Sequence, residues 1–67
     1  MKTHWIVSEH RDTVIYERTD YVPQPHSSRV LADEIDGLNK SQAVRTLESM
    51  YDRVSSIEGS NRIFCKH

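Results

Sequence analysis

The chain has 67 residues and a formal net charge of −1, which makes one small domain (residues 1–67) near the lower limit for a self-sufficient hydrophobic core. A single cysteine excludes an intrachain disulfide. Near-balanced charge, 9 Lys+Arg against 10 Asp+Glu, supplies neither the basic excess of a typical nucleic-acid binder nor the acidic excess of a nucleic-acid mimic. No apolar run is long enough to span a bilayer and the N-terminus has no signal-peptide layout, so the sequence reads as that of a cytoplasmic protein.

The N-terminal part predicts a β-hairpin. Residues 2–9 contain Trp5, Ile6 and Val7, and residues 13–19 contain Val14, Ile15 and Tyr16. Both runs are rich in β-branched and aromatic side chains. Between them His10-Arg11-Asp12 has hairpin-loop length, without the Asn-Gly or Asp-Gly of the commonest two-residue turns. Residues 20–28 hold Pro23 and Pro25, each of which drives its predecessor toward extended geometry, so this stretch reads as a linker. Residues 29–36 then suit a second, short helix, with Ser28 as cap, Gly37 as stop, and Val30, Leu31, Ile35 and Leu38 as its apolar residues.

The most structured pattern covers residues 39–59. Ala43, Leu47, Met50, Val54 and Ile57 recur at helical spacing, with Val44 and Tyr51 in the neighbouring row. Asn39 and Gln42 match a capping box, and Gly59 suits a left-handed stop. Arg45, Glu48, Asp52 and Arg53 form the polar face of this long helix. After a turn at Ser60-Asn61, residues 62–67 read as a last strand through Ile63, Phe64 and Cys65. The expectation is an α+β fold: a small three-stranded antiparallel sheet, made of the hairpin plus the C-terminal strand, packed by one long helix near residues 40–58.

Alternation along the strands sorts side chains onto two faces. Trp5, Val7, Val14 and Tyr16 are assigned to the face under the helix. Ile6 and Ile15 fall on the reverse, joined by either Phe64 or Ile63, of which Phe64 is taken for the oligomer interface. Either residues 29–38 fold over that reverse face, or it meets a second copy of the chain or another protein. The polar helix face with Arg45, Glu48, Asp52 and Arg53, joined by the Arg62–Lys66 edge, is the candidate surface for a foreign partner.

Catalytic and metal chemistry is hard to assemble from these residues. His4 and His10 on one strand lie roughly 20 Å apart, and a set of His4, Cys65 and His67 lacks a fourth zinc ligand. Two glycines, Gly37 and Gly59, cannot make a phosphate loop, and no Gly-x-Ser-x-Gly elbow occurs. Asp33, Glu34 and Asp36 have no neighbour placed to separate their acidities. No catalytic residue, metal or cofactor is therefore expected, and the chain reads as a non-enzymatic protein-binding accessory or inhibitor protein. The alternative is a small dimeric nucleic-acid-binding regulator, resting on Arg29, Lys40, Arg45, Arg53, Arg62 and Lys66.

The strand–strand–helix–strand order resembles that of several tiny phage-encoded proteins, including some anti-CRISPR proteins and a phage inhibitor of bacterial RNA polymerase. The resemblance is one of size and element order, and no motif residue is shared. It implies an inhibitor of host machinery acting by protein–protein contact in the host cytoplasm.

Overall fold

The computed structural model describes residues 3–66. Its first unit is the expected hairpin, β1 (His4–His10) and β2 (Thr13–Thr19), in antiparallel register from His4 opposite Thr19 to His10 opposite Thr13. Only Arg11 and Asp12 lie between the last pair, so the turn is one residue tighter than the sequence suggests. The chain then runs through the proline-containing linker to β3 (Val30–Leu31), which pairs antiparallel with β1.

This strand replaces the short helix expected over residues 29–36. The outer edge of β1 has backbone groups to satisfy, and Val30 and Leu31 pair with Val7 and Ile6, followed by an Ala32 N–H donated to the Trp5 carbonyl at 2.8 Å. Residues 32–38 continue as tight turns, with the N–H of Ile35 donated to Ala32 and that of Leu38 to Ile35. Gly37, at φ 82°, takes the left-handed conformation within them.

Helix α1 (Lys40–Glu48) begins where the sequence places it. The Asn39 side chain accepts the Gln42 N–H at 2.8 Å, and the Gln42 side chain accepts the Asn39 N–H at 3.2 Å, closing a capping box. It ends after 9 residues, at a Ser49 cap whose N–H and hydroxyl both reach the Thr46 carbonyl. Two further strands follow, β4 (Arg53–Ser56) and β5 (Arg62–Lys66), paired with each other. Their connection holds Gly59 at φ 76°, with the Ser60 N–H donated to the Ile57 carbonyl. The glycine expected to stop a helix thus serves a hairpin turn.

The sheet has five strands in the order β3-β1-β2-β5-β4, every pairing antiparallel, with one short helix, rather than three strands under a long helix. Geometry explains the correction. Residues 32–52 must carry the chain from the β3 edge to the β4 edge, across four strand spacings or roughly 19 Å. A 9-residue helix rises about 14 Å and fits that span with turns at either end. A helix over residues 39–59 would run about 30 Å, overshoot the sheet and leave the edge of β5 unpaired. Strand–strand–helix–strand is therefore not the order of this chain, and the likeness to phage inhibitors built on it falls away.

The crossing segment covers one sheet face and builds the core there. Trp5, Val14, Tyr16, Ile63 and Cys65 point up from the sheet against Ala32, Ile35, Ala43 and Leu47, all buried. Two polar contacts fix the lid. The Trp5 indole N–H donates to the Leu38 carbonyl at 2.7 Å. The Tyr16 hydroxyl donates to Glu34 at 3.0 Å, so the Tyr51 hydroxyl, also 3.0 Å away, donates its proton to Tyr16. No helix among the described residues is long and apolar enough to cross a membrane.

Candidate interaction face

Because cross-strand partners share a face, the strand registers define what the uncovered side of the sheet presents. Ser8, Ile15, Phe64 and Ser55 make a middle row, through the pairs Ser8–Ile15, Ile15–Phe64 and Ser55–Phe64. Next to it, Ile6, Glu17 and Arg62 form a second row, extended by Leu31 at the β3 edge. On the other side, His10, Thr13, Lys66 and Arg53 form a third. Ile15 and Phe64 are half-buried, whereas Arg53, Arg62 and Lys66 are exposed. The open face is therefore an apolar centre between two rows that carry cations, about 13 Å apart along β5.

Charge on this face is one-sided. Arg53, Arg62 and Lys66 lie on its strands, Arg29 reaches it from just before β3, and Glu17 is its only carboxylate among the described residues. The remaining acidic residues are in turns, on the helix or on the inner parity of the sheet. Arg53 sits directly opposite Lys66 in the β4–β5 pair. Like charges facing each other across a strand pair are destabilising, and neither is engaged by a carboxylate among the described residues. At the other end, the Arg62 Nε donates to Glu17 Oε2 at 2.8 Å, and Arg29 Nη1 lies 3.9 Å from Glu17 Oε1.

The sequence-predicted residues are redistributed. Arg53, Arg62 and Lys66, expected beside a helix face for a foreign partner, share this sheet face with Ile15 and Phe64, expected for oligomerisation. Ile6 shares it too, but is only 1% exposed and so forms floor rather than contact surface. Arg45 and Glu48 are exposed on α1, and exposed Asp52 precedes β4; none of the three belongs to the sheet's open face. Arg53 is not on a helix, because β4 begins there. Glu17 was missed, and Arg29 was named only for the nucleic-acid alternative. Alternation along β2 places Glu17 beside Ile15, but nothing local to Arg29 announces the two-residue strand that delivers it.

The zinc candidates are separated. Cys65 points into the core and is fully buried, its thiol pushed up to about 11 by that burial. His4, at the start of β1, is on the opposite parity, and its Nδ1 lies 2.9 Å from Oδ1 of Asp36 in the crossing segment. His67 lies outside the described residues, as does Lys2 of the expected first strand. Among the described residues no group of three His, Cys, Asp or Glu side chains is placed to hold a metal ion. Tyr16 is held protonated far above the usual phenol range, first by burial and then by its bonds to Tyr51 and Glu34, which suits a core residue.

Comparison of the chain with known protein families, with curated proteins and with solved structures finds no match.

Proposed function

We propose that the chain is a non-enzymatic binding module, of the accessory or inhibitor kind, that recognises a protein partner through the open face of its sheet. The partner surface is acidic around an apolar contact. The observation that carries this reading is the opposed pair Arg53 and Lys66 flanking Phe64 and Ile15. Such a pair weakens the isolated fold and is relieved when carboxylates arrive between the cations. The half-buried Ile15–Phe64 centre supplies desolvation, and the surrounding charge supplies register.

A second copy of the chain suits the face less well. Two-fold pairing lays the cationic rows of one copy against those of the other, with only Glu17 on each to offset Arg53, Arg62 and Lys66. Nucleic acid is the second reading, favoured by one feature: an aromatic ring between two cationic rows can stack a base while phosphates lie on either side.

The test compares capture from a lysate by three forms of the protein. These are the parent, an open-face variant (Arg53→Glu, Lys66→Glu) and a helix variant (Arg45→Glu, Glu48→Lys), each checked for folding by circular dichroism. The expected result is a directly bound acidic protein retained by the parent and the helix variant and lost by the open-face variant. A partner lost only with the helix variant refutes the assignment. Retention that nuclease treatment abolishes transfers it to nucleic acid.

A further inference from the structure

Resting on that reading of the open face, a distinct subsite lies at its β3 end. Ile6, Ser8 and Ile15 floor a concavity of about 230 Å³, and His10, Arg29, Glu17 and Arg62 stand around it. That volume corresponds to roughly eight waters of bulk liquid, which is ample for one carboxylate side chain. The two guanidinium groups face a single carboxylate, so the rim has one positive charge in excess.

The bonds in the rim show what it accepts. Arg62 engages Glu17 through Nε, with no partner drawn to its two terminal amino groups among the described residues. Arg29 is held loosely: its Nη1 donates to the Tyr21 hydroxyl at 3.3 Å and approaches Glu17 only to 3.9 Å, beyond hydrogen-bond length. The backbone that presents Arg29 is, by contrast, hydrogen-bonded on itself. Residues 24–27 form a turn, with the Ser27 N–H donated to the Gln24 carbonyl, Pro25 second and His26 at φ 69° third. The Ser27 hydroxyl then accepts the Arg29 N–H at 3.1 Å. A hydrogen-bonded turn presenting an under-used guanidinium tip leaves that cation available to an anion, and planar guanidinium groups suit carboxylates in bidentate geometry.

We propose that this concavity binds an aspartate or glutamate side chain of the protein partner, with Arg29 and Arg62 as its ligands and Glu17 as an internal competitor. Glu17 orients Arg62 in the free protein and at the same time weakens the site by its own charge. The incoming carboxylate neutralises the excess charge and rests against Ile6, Ile15 and the Ser8 hydroxyl.

The prediction is specific because the internal carboxylate and the cations respond oppositely. The probe is an acetylated and amidated Glu-Leu-Glu-Leu-Glu peptide, titrated into ¹⁵N-labelled protein, with the Gln-Leu-Gln-Leu-Gln peptide and an oligothymidylate as controls. The glutamate peptide gives saturable shifts at Ser8, Ile15 and the Arg29 and Arg62 side-chain N–H groups, and the glutamine peptide gives none. Arg62→Gln or Arg29→Gln weakens binding by about tenfold, the usual scale for one charge-assisted hydrogen bond. Glu17→Gln, which keeps an acceptor for Arg62 Nε, tightens it several-fold. Weaker binding in Glu17→Gln, or no saturable shift at these residues, refutes the subsite. Shifts confined to Phe64, Lys66 and Arg53 refute the subsite while leaving the open-face reading intact, and shifts with the oligonucleotide alone refute both.

Discussion

Leu47→Ala and Met50→Ala, compared side by side, test the architecture at the point where it departs from the helical pattern in the sequence. Both residues belong to the inward row of a helix over residues 39–59. In the folded chain α1 stops at Glu48, leaving Leu47 fully buried and Met50 51% exposed. Removing three buried carbons from Leu47 forfeits about 2.4 kcal/mol of transfer free energy. The unfilled space against its core neighbours raises the cost to about 3–5 kcal/mol. A chain of this length has about 3–10 kcal/mol of total stability, so Leu47→Ala should lose about a third of it at the upper end and unfold outright at the lower. Met50→Ala should cost under about 1 kcal/mol, and Ile57→Ala, 47% exposed, about the same. The assay is urea denaturation followed by fluorescence of Trp5, the sole tryptophan, which is fully buried. Leu47→Met, expected to lose less than about 1.5 kcal/mol, keeps the comparison measurable if the alanine variant does not fold. A Met50→Ala penalty matching that of Leu47→Ala would show that the helix continues and that β4 is wrong.

The alkaline limb of stability should belong first to Cys65. Its thiol is raised from an ordinary 9.0 to about 11 in the folded protein, so above pH 9 the unfolded chain releases a proton that the folded chain keeps. Stability is then fully present below pH 9 and falls toward about pH 11 with a slope approaching 1.4 kcal/mol per pH unit, at about that scale for one proton. Tyr16, raised in the same direction, adds to the loss only above its ordinary 10.0. Urea midpoints between pH 8 and 10 should decline in the parent and stay level in Cys65→Ala; a parallel decline in both would remove Cys65 as the cause. Tyr16→Phe should cost about 1–2 kcal/mol at neutral pH, because it removes a bond to a carboxylate while Glu34 and Tyr51 can still reach water. A double-mutant cycle with Glu34→Gln should show coupling above about 0.5 kcal/mol, and strictly additive losses would mean that the Tyr16–Glu34 bond contributes nothing.

The hairpin, its two faces and the start of the helix were legible because each rests on local chemistry. β-branched and aromatic runs gave β1 and β2, alternation put Trp5, Val14 and Tyr16 on one side and Ile6 and Ile15 on the other, and Asn39 with Gln42 marked the helix start. The helix end was hidden by a coincidence of spacing. Val54 lies seven residues beyond Leu47, so it continues a helical stripe, yet it is also the inward residue of β4, opposite Cys65. Its neighbours Arg53, Ser55 and Ser56 are polar and show no apolar alternation of their own, as suits an edge strand. What makes these residues a strand is the open edge of β5, a requirement set by residues ten positions further along. β3 is invisible for the same reason, since two residues cannot express a period and only the edge of β1 calls for them.

Those two hidden strands also account for how the surface residues were grouped. Net charge of −1 says nothing about sorting, and sorting here follows from parity: along β5, Ile63 and Cys65 go into the core while Arg62, Phe64 and Lys66 go out. That half of the face was legible up to the phase of β5, which the sequence left open between Phe64 and Ile63. The other half depends on β4 placing Arg53 opposite Lys66, and on β3 placing Arg29 above Glu17. With residues 53–56 taken as helix, Arg53 was grouped with Arg45, Glu48 and Asp52, and the apolar residues of the sheet were left as a separate surface. One face was thereby divided into an oligomer interface without charge and a partner interface without an apolar centre. Strand pairing reunites them, and the combination is what the proposed partner rests on: apolar contact alone would suit a second copy, whereas Arg53, Arg62 and Lys66 around Phe64 favour a surface of the opposite charge.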